Sequence, residues 1–192
     1  MKRGGVEHKE LVLNILSESF DDNKSVNYVV KQDIKRKDRI RRLVEYSFNL
    51  CLQFGDVWIS DDQNGCALIM IPDRKHFSLQ SILWDIKLAF GAIGIRRVLK
   101  VMSREAKVKA HHPKNNVCYL WFIGVDPHHQ NDGIGSKLLL EIIKKYEQDG
   151  LPIYLETSVD RNIPWYTRYG FEIFQSIEFS YTLYSLRRII SK

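Results

Sequence analysis

A strand, a glycine-containing turn and the start of a helix follow one another between Val117 and Leu140 of this 192-residue chain. The apolar run Val117–Val125 is long enough for a strand and rich in β-branched and aromatic residues. No polar residues alternate with the apolar ones, so we predict a strand that is buried in the interior of a sheet. Asp126-Pro127 ends this strand, and the sequence Gln-Asn-Asp-Gly-Ile-Gly at positions 130–135 leads into the helix.

The residues after the turn have the spacing of an amphipathic helix, which Gly150 and Pro152 end. The first amides of a helix are unpaired and carry a partial positive charge, so a phosphate placed there gains hydrogen bonds and dipole stabilisation. Gly133 and Gly135 lack Cβ atoms, which lets the backbone approach such a ligand closely. We therefore predict an anion-binding turn. The apolar helix positions are Ile134, Leu138, Leu139, Ile142, Ile143 and Tyr146.

The glycine pair alone fits other loops as well. A phosphate-binding Walker loop requires a Lys-Ser/Thr pair after a longer glycine spacing, which the sequence lacks. In a dinucleotide-binding fold Gly133 and Gly135 would be the first two glycines, and Glu156 lies near the distance of a ribose-binding acid. Leu138, however, occupies the third glycine position of that motif. A strand-to-helix turn without a ligand is the third alternative.

A second cluster of signals lies further along the chain. It contains a short strand over Ile153–Thr157, a polar turn, a brief helix that begins near Asn162, and Gly170-Phe171 leading into another strand. In this order the motifs resemble the GNAT superfamily of acyl-coenzyme A-dependent N-acyltransferases. The resemblance covers residues 117–176.

In that family the pattern Gln/Arg-x-x-Gly-x-Gly/Ala binds the pyrophosphate of coenzyme A, and Gln130, Gly133 and Gly135 match it. The family often has Gly or Arg where Asn131 stands. Asn tolerates a left-handed backbone better than most residues, so the turn is retained, whereas the phosphate contact of an arginine is lost. The resemblance implies that the loop amides from Gln130 to Ser136 contact the phosphates.

The resemblance also implies that the strand ending at Val125 and the strand around Leu155 splay apart. Backbone groups freed in this way would pair with the pantetheine arm of the cofactor, as an added strand pairs with a sheet edge. The implied coenzyme A contacts are Ile123, Gly124, Val125, Gln130, Asn131, Asp132, Gly133, Ile134, Gly135, Ser136, Asn162 and Tyr166.

A second family motif, Asn-x-x-x-Tyr-x-x-x-Gly-Phe, is matched from Asn162 to Phe171. The resemblance implies that acetyl-coenzyme A is the co-substrate and that a primary amine attacks its thioester directly in a ternary complex. A buried phenol suits the departing thiolate, because its reference pKa of about 10 lies above the value of about 8.5 for a thiol. We therefore interpret Tyr166 as the general acid, with ordinary aromatic packing beside Trp165 and Tyr169 as the alternative.

Glu156 is the candidate general base. Its strand faces the predicted cleft, and a carboxylate removes a proton from an ammonium directly or through water. A strand glutamate is more often a solvated or paired charge, so this alternative stays open. Further candidates for the acceptor side are Tyr119, Trp121 and Glu178.

Neither the histidines nor the cysteines have the spacing of a metal site. His111-His112 and His128-His129 are adjacent pairs whose side chains diverge, and no Cys or acidic residue completes a zinc set. We predict no metal, and place His128 and His129 at the border of the phosphate loop, where a titrating charge would tune cofactor affinity. The cysteines are odd in number, widely separated and in apolar surroundings, which indicates reduced core thiols in a cytoplasmic protein. They are Cys51, Cys66 and Cys118.

Twenty-nine basic and 23 acidic residues give a formal charge of +6, which suits an anionic cofactor, nucleic acid or lipid headgroups. The basic run Lys35–Arg42 is the strongest nucleic-acid signal. It merges into an amphipathic helix and carries no interleaved aromatic residues, so we interpret it as a solvated helix face. No apolar stretch reaches the roughly 20 residues of a membrane span, and no secretion signal is evident.

The first half of the chain predicts helices around a small hairpin. Glu10–Phe20 and Asp38–Phe54 have the apolar spacing of core-facing helices. Asp56–Ser60 and Gly65–Ile71 have the composition of two strands joined by an acidic turn. By resemblance these are the family's second and third strands, and its usual first strand is not evident.

Residues 72–116 form a helical insertion between the third and fourth strands. Ser78 is a candidate cap for a helix with apolar residues from Leu79 to Phe90, and a basic amphipathic segment follows Gly94. We predict that both helices pack through their apolar residues and cover the acceptor pocket. A membrane-surface role, in which apolar and basic residues act together, is the alternative.

The sequence thus predicts a single α/β (α+β) domain over residues 1–192, with a central mixed, mostly antiparallel sheet flanked by helices. Its expected activity is acetyl transfer from acetyl-coenzyme A to a primary amine, with a small-molecule acceptor and no nucleic acid. The sequence does not decide whether the protein forms a homodimer. The alternatives from other classes are a non-catalytic acyl-coenzyme A sensor and a basic nucleic-acid-binding protein.

Overall fold

A computed structural model describes residues 1–190, in which seven strands form one sheet with helices on both faces. The first half contains β1 (Lys2–Arg3), α1 (Lys9–Ser19), α2 (Lys24–Val29), α3 (Arg36–Phe54), β2 (Gly55–Ile59) and β3 (Gly65–Met70). The second half contains α4 (Leu79–Leu88), α5 (Val98–Lys109), β4 (Cys118–Val125), α6 (Ile134–Gln148), β5 (Ile153–Thr157), α7 (Ile163–Arg168), β6 (Glu172–Glu178) and β7 (Thr182–Arg188).

The strand order is β1-β2-β3-β4-β5-β7-β6, and the pair β4/β5 alone is parallel among the described strands. This confirms the predicted mixed, mostly antiparallel sheet. Strands β4 and β5 pair only through Cys118 with Ile153 and Tyr119 with Tyr154, after which they diverge. The predicted splay is therefore present, and the rest of β4 has a free edge on the side of β5.

Two apolar cores hold the layers together. On one face of the sheet, α1 and α3 pack through residues such as Leu16 and Phe48. On the other face, α6 and α7 pack through residues such as Leu139 and Tyr166. The three cysteines are buried free thiols in the described residues, as predicted, and burial raises the pKa of each.

Strand β4 lies in the interior of the sheet, between β3 and β5, as predicted, but only one of its faces is fully buried. Cys118, Leu120 and Phe122 are buried, whereas Tyr119 and Trp121 on the opposite face are only half-buried. The half-buried face lines cavities that open where β4 leaves β5. An apolar run therefore arises here because the strand has a core on one side and cavities on the other.

Two short elements were not predicted. Strand β1 has only two residues, which pair with Trp58 and Ile59 of β2. Helix α2 has six residues, and the side chain of Asn23 caps it by accepting a hydrogen bond from the amide of Val26 at 3.0 Å. Elements this short have too few residues for a periodic apolar pattern.

The basic run Lys35–Arg42 is not simply a solvated face. Arg36 pairs with Asp21 at 2.7 Å, and Arg39 pairs with Asp33 at 2.8 Å. Arg41 also lies 2.6 Å from a carboxylate oxygen of Glu10. With Lys37, which lies 3.9 Å from Asp21, four of the six cations in the run are engaged by acids of the same chain, which weakens the nucleic-acid interpretation.

The insertion forms α4 and α5, and Ser78 caps α4 as predicted by accepting from the amide of Ser81 at 3.4 Å. Helix α5 buries Val101 and Val108, but α4 has no buried residue. The prediction that both helices pack through their apolar residues is therefore wrong for α4. None of the helices within residues 1–190 is both long and apolar enough to cross a bilayer.

Candidate active site

The turn before α6 exposes a row of unpaired amides. Asn131 and Gly133 have positive φ angles of 74° and 80°, and this left-handed backbone brings the chain into the first turn of α6. Within residues 1–190, the amides from Gln130 to Ser136 donate no hydrogen bond to another protein group. These donors and the dipole of a 15-residue helix converge on one spot, as an anion site requires.

A cleft of about 710 Å³, the cofactor cleft, lies in front of these amides. Its walls are the end of β4, the turn, the start of α7 and the chain between α1 and α2. The predicted coenzyme A contacts that line it are Ile123, Gly124, Val125, Gln130, Asn131, Gly133, Ile134, Gly135, Ser136, Asn162 and Tyr166.

Asp132 is the exception among the predicted contacts. Its side chain lines a separate recess that it shares with Met1 and Asp61, on the other side of the turn. His129 does border the cofactor cleft, with its Nδ1 atom 3.6 Å from Asp132, whereas His128 does not line it. Alternate side chains of a tight turn point in opposite directions, which a contiguous motif does not reveal.

Two glycines line the cleft in different surroundings. A Cβ atom on Gly124 would lie 2.7 Å from Cδ2 of Leu16 and 2.7 Å from Oγ of Ser19, both on α1. Glycine at this position thus lets α1 pack directly on the end of β4. At Gly135 a Cβ atom would meet only Val125 and Trp165, at 3.4 and 3.9 Å, so the open side of this residue faces the cleft.

Tyr166 lies where the cofactor cleft meets a second cavity. Its ring is buried against Trp165 and Phe171, and its side chain lines both spaces. No hydrogen-bond partner for the phenol is present in the described residues. Burial raises the pKa of Tyr166 above its usual range, so the phenol stays protonated at neutral pH.

The second space, the inner cavity, has a volume of about 240 Å³. It lies between α3, α5 and the half-buried face of β4. Buried Arg104 of α5 fixes one wall by donating to Oγ of Ser25 at 2.6 Å and to the hydroxyl of Tyr181 at 3.1 Å. The residues shared with the cofactor cleft are Phe20, Asn23, Ile123, Ser158, Asn162 and Tyr166.

Glu156 lies on the wall between the inner cavity and a third space. Its carboxylate accepts a hydrogen bond from the hydroxyl of Tyr119, and its Oε1 atom lies 2.5 Å from Nε2 of His112. The His112 and Glu156 atoms are close but not aligned as a hydrogen bond, and both are buried without one in the described part of the chain. Burial, together with the Glu156 charge, raises the pKa of Tyr119 well above its usual range.

The third space, the outer cavity, has a volume of about 370 Å³ and is lined by His112 of the insertion. Glu156, Tyr119 and Trp121 line it from one side and Tyr154 from another. The ring of His112 packs 5.7 Å from those of both Tyr119 and Tyr154. The carboxylate of Glu156 thus separates the two cavities, with His112 behind it.

Sequence reasoning missed several residues of these cavities. His112, Arg104 and Glu105 come from the insertion, whose placement over the sheet no local motif specifies. Lys24 and Arg161 line the cofactor cleft and add positive charge beside the unpaired amides. Charge and position along the chain were the only signals for these residues.

Two predicted candidates for the acceptor side line the inner cavity, and one does not. Tyr119 and Trp121 line both the inner and the outer cavity. Glu178 instead lies exposed on β6, where it accepts a hydrogen bond from Thr182 at 3.1 Å, and it lines none of the three spaces.

Comparison with known proteins shows similarity at the level of sequence. The profile of the acetyltransferase (GNAT) family matches residues 65–171, which include the turn, Glu156 and Tyr166. An N-acetyltransferase of Schizosaccharomyces pombe, itself described as uncharacterized, is 28% identical over 180 residues, which is 89% of this chain and 73% of the relative.

Solved structures are similar over nearly the whole chain. A histone acetyltransferase HPA2 and related acetyltransferase of Corynebacterium glutamicum has a TM-score of 0.71 at 17% identity, over 100% of this chain and 96% of the other. The C-terminal condensation domain of Ebony, in complex with beta-alanyl-dopamine, has a TM-score of 0.71 at 10% identity, over 97% of this chain and 96% of the other. An N-acetyltransferase of Staphylococcus aureus has a TM-score of 0.57 at 13% identity, over 94% of this chain and 95% of the other. At these identities the likeness shows the fold.

Proposed function

This chain belongs to the acetyltransferase (GNAT) family, and from that premise we propose that it transfers an acetyl group from acetyl-coenzyme A to a primary amine of a small molecule. The cofactor cleft is the site for acetyl-coenzyme A, and the inner cavity is the site for the acceptor. The observation that carries the proposal is the position of Tyr166, whose unpaired phenol faces both spaces. A group at this position reaches the thioester and the amine together.

The cofactor is held at two points. The unpaired amides from Gln130 to Ser136 bind the diphosphate, with Lys24 and Arg161 supplying further positive charge. The free edge of β4 at Ile123 and Val125 pairs with the amide groups of the pantetheine arm. These contacts direct the thioester toward Tyr166.

The acetyl transfer follows from this placement. The neutral amine attacks the thioester carbonyl, which forms a carbon–nitrogen bond and a tetrahedral oxyanion. Collapse of the oxyanion breaks the carbon–sulfur bond, and Tyr166 donates a hydrogen bond or its proton to the departing sulfur. Because burial keeps its phenol protonated, Tyr166 can serve as the acid over the neutral and mildly alkaline range.

The amine must lose a proton before or during its attack. Glu156, which lines the inner cavity, accepts that proton on its carboxylate. A protonated Glu156 then faces Nε2 of His112 at 2.5 Å, which can pass the proton to the outer cavity. His112 is therefore a relay and positioning residue, while Glu156 is the general base.

The size of the acceptor site supports a small molecule. Cavities of about 240 and 370 Å³ accommodate ligands of that class, and the insertion covers them with α5. Carboxylates of Glu105 and Glu156 and the rings of Tyr46 and Trp121 line this space. Such a lining attracts a cationic ammonium group attached to an apolar or aromatic body.

Release of free thiol from acetyl-coenzyme A in the presence of a panel of amines tests this function. We expect release above the hydrolysis background for at least one primary amine, and acetylated amine in equal amount by mass spectrometry. Tight acetyl-coenzyme A binding without turnover for any amine would instead identify a sensor. Salt-sensitive retention of RNA or DNA that persists in Gly135→Glu would support a nucleic-acid-binding protein.

A further inference from the structure

Helix α4 turns its apolar side toward solvent. Leu79 and Leu83 are 72% and 58% exposed, and Ile82, Ile86 and Phe90 share their face of the helix at spacings of three and four residues. The opposite side, which faces the protein, is only half-buried. An amphipathic helix normally buries its apolar stripe, so this orientation leaves a binding surface without a partner in the described residues.

Helix α5 adds to the same kind of surface. It buries Val101, Arg104 and Val108 toward the inner cavity, while Leu99 and Met102 point outward and are 80% and 60% exposed. The exposed apolar residues of both helices line none of the three spaces described above. They project from convex helices, and we call them together the apolar helix face.

Positive charge predominates around the apolar helix face, because residues 72–116 contain ten Lys and Arg residues but only three Asp and Glu residues. The acids of the insertion are engaged within the protein, since Asp73 accepts from the amide of Asn116 at 2.7 Å and Asp85 accepts from the hydroxyl of Tyr46 at 2.6 Å. Glu105 is paired with Arg104. The exposed cations Lys87, Arg96 and Lys107 have no carboxylate partner within residues 1–190.

We infer that the apolar helix face docks onto an anionic lipid bilayer, in the plane of the headgroups. Apolar side chains that project from convex helices insert between lipids, and interspersed Lys and Arg reach the anionic headgroups. A second copy of the chain fits less well, because it would bring exposed cations of the same sign together. A bilayer supplies both the apolar phase and the negative charge.

This docking is independent of acetyl transfer, and it leaves the cofactor cleft open. The cleft is lined by the turn, β4, α7 and the chain between α1 and α2, and by no residue of α4 or α5. The inward sides of α4 and α5 contribute Leu88 and Val101 to the inner cavity. The lipid-bound surface is thus the outer side of the wall that covers the acceptor site.

Vesicle flotation of the full chain tests the inference. We expect partition into phosphatidylcholine vesicles that contain phosphatidylglycerol, weaker partition into phosphatidylcholine alone, and loss of binding at high salt. Leu83→Ser should lower the partition coefficient about tenfold. Lys87→Ala and Arg96→Ala should each lower it about fivefold.

Matched variants on α6 serve as controls. Leu140→Ser removes another exposed apolar side chain, 51% exposed, and Lys144→Ala removes another exposed cation, and neither should change partition. Thermal unfolding followed by circular dichroism confirms folding of each variant. If Leu83→Ser does not fold, the Lys87→Ala and Arg96→Ala variants still decide the question.

Three results would overturn the inference. The first is a protein that stays in the aqueous fraction with both kinds of vesicle. The second is equal partition of the wild type and the α4 variants. The third is a stable dimer by light scattering that Leu83→Ser dissociates, which would assign the apolar helix face to a second copy.

Discussion

Tyr166 lies between the two proposed substrate sites, so its replacement tests binding and catalysis separately. Tyr166→Phe removes the phenol but keeps the ring that packs on Trp165 and Phe171. We expect kcat to fall about 100-fold or more, as for loss of a general acid, with little change in the affinity for acetyl-coenzyme A. Steady-state kinetics and calorimetry measure the two effects, and unchanged kcat would exclude Tyr166 as the acid.

The raised pKa of Tyr166 also fixes the alkaline side of the pH profile. An ordinary phenol deprotonates near pH 10, and burial moves this pKa upward, so the acid form persists through that range. We therefore expect no fall in kcat between about pH 8 and pH 9.5 from this group. A fall in that range in the wild type, absent in Tyr166→Phe, would contradict the assignment.

His112 and its neighbour His111 provide a matched pair of variants. His112 lies 2.5 Å from Glu156, whereas His111 is exposed. We expect His112→Ala to lower kcat about tenfold and added imidazole to restore part of it, because imidazole fits the space vacated behind Glu156. His111→Ala should have no effect. A loss of kcat that added imidazole does not restore, together with a lowered unfolding temperature, would indicate a purely structural role for His112.

Glu156→Gln tests the base itself. The amide keeps the hydrogen bond from Tyr119 but cannot take a proton. We expect kcat to fall about 100-fold in steady-state kinetics. An unchanged kcat would mean that water or another group removes the proton.

At the residue scale, the sequence located groups that belong to contiguous motifs. Gly133, Gly135 and Tyr166 stand at fixed spacings, and each lines the cofactor cleft as expected. His112 and Arg104 could not be located, because only the packing of the insertion against the sheet brings them to the cavities. Asp132 lines a separate recess on the other side of the turn, and the contact of its amide with the phosphates stays a prediction.

At the element scale, the position of α1 depends on one glycine of β4. A Cβ atom on Gly124 would lie 2.7 Å from atoms of Leu16 and Ser19, so Gly124→Ala must push α1 away from the wall of the cofactor cleft. We expect a loss of about 1–3 kcal/mol in the free energy of unfolding and weaker acetyl-coenzyme A binding.

Urea unfolding and calorimetry check the Gly124→Ala prediction. Gly135→Ala is its control, because the added Cβ atom there meets Val125 no closer than 3.4 Å. Equal stability of Gly124→Ala and wild type would show that α1 is held by other contacts.

Strand β4 and helix α4 show why element-level patterns mislead. An apolar run predicts a buried strand, but the second face of β4 lines cavities that apolar ligands and aromatic side chains fill equally well. An apolar stripe predicts a packed helix, yet in α4 it faces outward. In both cases the pattern shows that the surface is apolar and leaves open what covers it.

At the scale of the whole molecule, the buried thiols make stability depend on pH. Burial raises the pKa of Cys51, Cys66 and Cys118, while an unfolded thiol has a pKa of about 8.5. Above that pH the unfolded chain releases protons that the folded chain retains, so the free energy of unfolding falls as pH rises. Each thiol contributes up to about 1.4 kcal/mol per pH unit.

Urea unfolding between pH 7 and pH 10 under reducing conditions measures this effect. Cys66→Ala should show a shallower decline than the wild type, because one of the three thiols no longer contributes. Stability that is constant or rises over this range in the wild type would contradict the prediction.

The overall architecture was predictable because each of its main elements has its own short sequence pattern, and these patterns follow one another along the chain in the expected order. The strand, the turn, α6, β5 and α7 follow one another as the motifs require, and they lie around one cleft. The two-residue β1 and the six-residue α2 were not predictable from so few residues. The arrangement of the insertion was not predictable either, since it depends on contacts between segments far apart in the chain.

Titration calorimetry of acetyl-coenzyme A tests the central claim most directly, which is that the amides of the turn at residues 130–136 hold the diphosphate. The wild type should bind at one saturable site, and Gly135→Ala should bind with similar affinity. Gly135→Glu should lose binding by about 100-fold or more while remaining folded, because its carboxylate occupies the cleft and repels the diphosphate. Wild-type affinity in Gly135→Glu, or no heat of binding in the wild type, would contradict the account.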